Sequence, residues 1–261
     1  MITLYRQELL KLFKKRSTMA IITIIVLAEI GFAILGKIWH HYLPAPSLFA
    51  SNFTTIQWIT LFLIAASASI ISMESQYGTI KNLFTRKYTR TTVLISKWLT
   101  ILTYSLLLYF ITAIVSLILK ISLYSNQIDL AHTYSSIDRT RSLGQFWLLG
   151  MGTNLLTLFF LLSLVFLLAI IFKNTTVAIT CGLIGYFALG ILSNLMFMLI
   201  DKYTWLKWNP LNFMNLEAQI SNPKTMGALT KLTDLELLWG TIGYTVVFLL
   251  IGLYVYRQKE V

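Results

Sequence analysis

Residues 74–97 read ESQYGTIKNLFTRKYTRTTVLISK and stand between two apolar runs, 56–73 and 98–119. Each run is close to the roughly 20 residues that carry a helix across the hydrocarbon core of a bilayer. A basic, partly amphipathic insert between two such runs has to lie at a membrane face, against lipid headgroups or against a partner protein. The choice between those two surfaces is a choice of function.

Outward from this insert the same pattern continues. Apolar runs at 19–35, 146–172, 177–200 and 237–256 make six spans in all. With 57% of residues hydrophobic and 12% charged, a soluble globular chain is excluded. The expectation is an all-α integral membrane protein whose six spans form a single domain over residues 1–261. No Gly/Ser linker, low-complexity tract or internal repeat divides it.

Orientation follows from where lysine and arginine fall, because basic segments stay on the cytoplasmic side during insertion. Arg6, Lys11, Lys14, Lys15 and Arg16 precede the first span. Lys81, Arg86, Lys87, Arg90 and Lys97 occupy the insert, Lys173 follows the fourth span, and Arg257 and Lys259 follow the sixth. The alternate segments carry Lys37, Lys120, Arg139, Arg141, Lys202, Lys207, Lys224 and Lys231, offset by Asp129, Asp138, Asp201, Glu217, Asp234 and Glu236. Both termini are therefore expected in the cytoplasm. Topology and attraction to anionic lipid account for the net charge of +11 without a nucleic-acid partner.

The amino-terminal segment is basic before an apolar run, as a signal peptide is, but Gly-Lys-Ile-Trp-His-His at 36–41 offers no small-x-small cleavage pattern, so the first span is expected to be retained. Upstream, Tyr5, Leu9, Leu12 and Phe13 recur at i, i+4, i+7 and i+8. That spacing predicts an amphipathic helix in the membrane interface.

Catalytic and metal-binding patterns are missing from the sequence. His40, His41 and His132 are all expected outside, in no H-E-x-x-H spacing and with no acidic cluster beside them. The single Cys181 lies inside the fifth span and has no disulfide partner. Gly31 to Lys37 matches G-x-x-x-x-G-K but is followed by Ile38 where a phosphate-binding loop needs Ser or Thr, and it sits in an apolar span. The chain is thus expected to bind no nucleotide, metal or other cofactor and not to be an enzyme.

Glu29 is the acidic residue well inside a span, where a charge costs about 2.5 to 3.5 kcal/mol on insertion scales. It is expected to face other helices, either as a polar contact in a transport path or as a structural hydrogen-bonding group. Small residues at 65–69, with Gly182, Gly185, Gly190, Gly240 and Gly243, predict close helix packing. The outer segment 201–236 carries Trp205, Trp208, Asn209-Pro210, Phe213 and Met214, too apolar for a solvated loop and too short to span. Re-entrant or interfacial helices, or an aromatic anchor belt, fit this composition.

Glu74, followed by Gly78-Thr79, an apolar-basic stretch with Ile80, Lys81, Leu83 and Phe84, then Thr89-Arg90 and Lys97, resembles the loop between the second and third spans in permease subunits of type-2 ATP-binding-cassette (ABC) exporters. The length, the six spans, the amphipathic start and the long outer segment before the sixth span extend the resemblance over the whole chain. It departs in having Tyr88 where the family usually has proline.

The resemblance implies that 74–88 forms a cytoplasmic coupling helix seated in a cleft of an ATPase subunit. Glu74, Tyr77, Gly78, Thr79, Ile80, Lys81, Phe84 and Arg90 would be the coupling residues. It further implies a second permease copy or a related permease, ATP and Mg bound by the ATPase partner, and residence in a bacterial plasma membrane. Cargo would be amphipathic or hydrophobic, such as an antimicrobial peptide, a drug or a lipid-like compound. An ion-coupled secondary carrier and a non-transporting membrane scaffold are the other classes that fit the spans.

Overall fold

The structure, a computed structural model, describes residues 1–76, 89–172 and 174–258, and among these it is helical without strands. Helix α1 (Ile2–Lys14) turns at Lys15, whose extended backbone (φ −73°, ψ 122°) separates it from α2 (Arg16–Ile38). The Thr18 hydroxyl donates to the Leu12 carbonyl at 2.6 Å and pins this elbow. The buried stripe of α1 is Leu4, Glu8 and Leu12, with Tyr5, Leu9 and Phe13 half-buried beside it. It is thus rotated from the apolar face that spacing alone predicts, because an acidic residue occupies its centre.

Beyond the short α3 (Ala45–Ala50), the long helices are α4 (Thr55–Gln76), α5 (Arg90–Leu123), α6 (Leu143–Ile171), α7 (Thr175–Lys202) and, after two short helices described below, α10 (Asp234–Gln258). Six helices are long and apolar enough to cross a membrane, as befits a multi-pass membrane protein. They extend past the apolar runs because polar side chains cap them. The Thr89 hydroxyl receives the Thr92 amide, Ser142 and Gln145 form a reciprocal capping box, and Asn174 receives the amides of Thr176 and Val177. Residues Arg90 to Lys97 are in consequence the first turns of α5 and not part of the connecting loop.

Helix α4 packs against α6 and α7, α6 packs against α10, and α5 holds α1 and α2. The apolar windows of α4 and α6 are 56% and 50% buried within the chain, whereas those of α7 and α10 are only 11% buried. Helices α7 and α10 therefore turn most of their apolar surface outward. Close helix approach occurs at some of the expected small residues. A Cβ on Gly240 would run into the Phe213 ring, and one on Gly182 would stand 3.1 Å from Ile64, but Gly185, Gly190 and Gly243 face open space among the described residues.

At one end of the bundle α3, Leu119, Tyr124, Leu143 and Trp147 build a second apolar core. Its centre is a left-handed run, Asn52, Phe53 and Thr54 (φ 48°, 47° and 63°), unusual for residues with side chains. Phe53 is fully buried and stacks on Tyr124 with ring centroids 5.9 Å apart, which holds the run against its backbone cost.

Two short helices, α8 (Leu216–Ser221) and α9 (Pro223–Thr230), follow the 3-10 turns Thr204–Trp208 and Asn212–Asn215. They are tied together by buried amides. Gln219 donates to the Leu232 carbonyl and to Asp234 and accepts from Thr230, while Asn212 donates to the carbonyls of Lys207 and Thr230.

Candidate functional site

The amino-terminal end of the bundle is organised by Lys97. This lysine is 2% exposed, and its ammonium lies 3.2 Å from Glu8 Oε2 and 3.1 Å from the Ile70 carbonyl. The other Glu8 oxygen accepts from Lys11 at 2.6 Å. One carboxylate on α1 therefore links to the second turn of α5 and, through Lys97, to the end of α4. Burial alone would push the Glu8 carboxyl up, but Lys97 and Lys11 together hold it below its ordinary range. The carboxyl-terminal end of the chain joins the same face. Arg257 donates to the Thr91 hydroxyl at 2.8 Å, and Arg90 donates to the Arg257 carbonyl at 2.8 Å.

The segment between α4 and α5 thus emerges from a frame in which α1, α4, α5 and α10 are fastened to one another. Arg90 is the member of the expected coupling set whose side chain is placed. Tyr77, Gly78, Thr79, Ile80, Lys81 and Phe84 lie outside the described residues, and of Glu74 only the helical backbone at the end of α4 is described.

Glu29 sits in the carboxyl-terminal half of α2, fully buried against α5. The Ser116 hydroxyl is 2.5 Å from Glu29 Oε1 and 3.3 Å from Asn52 Oδ1, which also accepts from the Trp147 indole at 2.8 Å. A hydroxyl carries one proton. A chain running from Glu29 through Ser116 to Asn52 can be completed in one direction only if the carboxyl carries its proton. Glu29 Oε2 and Asn52 Nδ2 make no hydrogen bond among the described residues.

At the end of the bundle away from Lys97, Trp205 is 72% exposed. Trp208 is half-exposed, with its carbonyl held by the Tyr244 hydroxyl at 2.7 Å and the Lys207 ammonium over its ring. Pro210 follows Asn209, whose side chain accepts the Asn212 amide and closes the turn. Below this turn, between α4, α6 and α7, opens a cleft of about 520 Å³. Gln57, Thr60, Asn154, Thr157, Asn194 and Glu217 bring polar groups to its wall. Polar side chains on the outside of spanning helices are costly against lipid and belong in a water-filled cavity or against a partner. The chain belongs to the DUF2705 family. That family, described as a protein of unknown function, matches residues 20–261. Glu29, Lys97 and the cleft lie inside the matched region of this DUF2705 protein, and α1 with Glu8 precedes it. No curated protein matches the chain.

Sequence reasoning singled out Glu29 and the outer tryptophans but passed over Glu8, Asn52, Ser116 and Trp147. Glu8 is the lone acid among the basic residues before the first span, and Lys97 directly precedes an apolar run. Those two signals together point to a pair. Nothing in the sequence marks Asn52, since its role depends on a left-handed backbone.

Proposed function

We propose that this DUF2705 protein is the membrane-spanning subunit of an ATP-driven exporter of the type-2 ABC kind, moving amphipathic or hydrophobic cargo. The observation that carries the proposal is the frame around the α4–α5 connection. A load applied to residues 77–88 would reach α4 directly, α1 through Glu8 and Lys97, and α10 through Thr91 and Arg257. A docked ATPase could pull on four helices by gripping one segment. In this scheme α1 lies in the cytoplasmic interface, α8 and α9 cover the outer end of the path, and the polar cleft between α4, α6 and α7 receives cargo. A second permease copy would cover the outward face of α7, where Gly185 and Gly190 leave open space.

The test is co-expression with an ATPase partner. Aromatic interface anchors cost about 2 kcal/mol or more on truncation, so Tyr77→Ala with Phe84→Ala should weaken ATPase docking about thirtyfold and abolish cargo-stimulated ATP hydrolysis. Lys81→Gln with Lys87→Gln, which chiefly lowers attraction to lipid, should do less. Retention of the partner and of coupled hydrolysis by the double alanine variant would overturn the proposal. The Glu29, Ser116 and Asn52 chain favours a second reading, a proton-coupled carrier. Transport driven by an ion gradient without an ATPase, and lost in Glu29→Gln, would select that reading instead.

A further inference from the structure

The cleft between α4, α6 and α7 has a one-sided hydrogen-bonding character that its residue types alone do not show. Its asparagine amides already donate to the protein. Asn154 donates to the Gly150 carbonyl at 2.9 Å, Asn194 to the Gly190 carbonyl at 3.1 Å, and Asn215 to the Asn212 carbonyl at 3.2 Å and the Ser193 hydroxyl at 2.8 Å. A carbonyl can only accept, so these partners fix the Oδ1 atom as the free end of each amide. The Thr60 and Thr157 hydroxyls likewise direct their protons to the carbonyls of Ile56 and Thr153. Among the described residues, the Oδ1 atoms of Asn154 and Asn215 accept no hydrogen bond and are not sealed from the surface, and Asn194 is exposed. Glu217 is the charged residue of the described lining. The Ser221 hydroxyl donates to its Oε1 at 2.9 Å, and its Oε2 is left open in the same way. Gln57 and Tyr186 add groups able to donate or accept, and no lysine or arginine stands in the described lining.

We propose that this cleft binds a protonated primary amine carried on an apolar body. An ammonium has three donors and no acceptor, which complements a wall of amide and carboxylate oxygens. Leu158, Leu161, Phe187 and Ile191 supply the apolar surface for the rest of the molecule. The volume of about 520 Å³ suits a small organic ligand. An anion would face Glu217 and the amide oxygens without a cation to offset them. A neutral alcohol leaves the carboxylate unmatched, and a quaternary ammonium brings charge but no proton for the oxygens. As a statement about cargo this inference rests on the exporter reading, whose amphipathic cargo it narrows to a cationic one.

Equilibrium binding of radiolabelled octylamine to the purified full-length chain in phosphatidylcholine nanodiscs, with empty nanodiscs subtracted, tests it. Octylamine should bind saturably. Octanol and octanoate should not displace it at matched concentration, and octyltrimethylammonium should compete about tenfold more weakly, having lost its hydrogen bonds to the wall. Glu217→Gln should weaken octylamine about tenfold with melting unchanged, and Asn154→Leu should weaken it about fivefold. Gly190 lines the cleft, and a Cβ there meets nothing among the described residues, so Gly190→Leu should fold and block the site. Equal competition by octanol or octanoate, unchanged affinity in Glu217→Gln, or full binding in Gly190→Leu would each overturn the proposal. So would an absence of saturable binding joined to an altered oligomeric state in Gly190→Leu, which would give the cleft to a second copy of the chain. Binding is read without an ATPase or transport. Saturable, Glu217-dependent binding in a protein that drives no ATP-dependent export would therefore sink the exporter reading and keep the amine site, and the converse result would do the opposite.

Discussion

Lys97 and Glu8 are the residues on which the amino-terminal end of the bundle turns. An ammonium 2% exposed is tolerable because a carboxylate and a carbonyl replace its water. Removing one member of such a pair leaves the other buried and uncompensated, at a cost of about 3 to 5 kcal/mol. Lys97→Ala is therefore expected to lower the thermal unfolding temperature in detergent far more than Lys11→Ala, whose side chain is 61% exposed and contributes about 1 kcal/mol or less. A Lys11→Ala loss equal to that of Lys97→Ala would contradict the assignment. The pair also gives a pH signature. The folded Glu8 carboxyl is held below its ordinary value of 4.5, so its contribution is fully present above that value and is lost as pH falls through the lower folded one. Glu8→Gln should flatten stability across that acidic window, measured by melting at successive pH values.

Among the elements, α10 offers a matched comparison. A methyl at Gly240 would collide with the Phe213 ring, which is buried among Leu216, Leu232 and Leu237, whereas Gly243 on the same helix meets nothing among the described residues. Gly240→Ala should destabilise by about 1 to 3 kcal/mol through overpacking. Gly243→Ala should stabilise by up to about 1 kcal/mol through helix propensity. Melting of the two variants checks the contrast, and similar effects would refute the close contact. The contrast also marks how far the sequence could be read. Six spans are legible because uninterrupted apolar runs of that length have few other structures available. Which glycine packs is not, since both sit in the same apolar pattern and only the path of Phe213 separates them. The beginning of α5 at Arg90 is legible afterwards from its Thr89 cap, but its basic first turn imitates a loop. Glu29 announced itself by its charge. Asn52, its neighbour through Ser116, lies in a backbone conformation that residue type does not encode.

At the scale of the molecule, α1 and the end of α10 meet at one face, and the turns Thr204–Trp208 and Asn212–Asn215 with α8 and α9 close the other. With Cys181 replaced by Ala, a cysteine at Ser135 or Asn222 should react with an impermeant thiol reagent on intact cells, and one at Thr85 should not. Labelling at Thr85 from outside would contradict the expected orientation and, with it, the proposed ATPase docking at residues 77–88. Large parts of α7 and α10 contribute little to the internal core, so the fold leans on α4, α5 and α6. Synthesis adds a further consequence. Glu8 and Lys97 lie 89 positions apart in the chain. At roughly 5 to 20 residues per second, α1 is synthesised on the order of ten seconds before its lysine is made. Through that interval α1 has no Lys97 to hold it and rests where its apolar stripe and its own basic residues place it. When α5 is made, the Lys97 ammonium on its second turn can meet a carboxylate that has existed since the first residues of the chain.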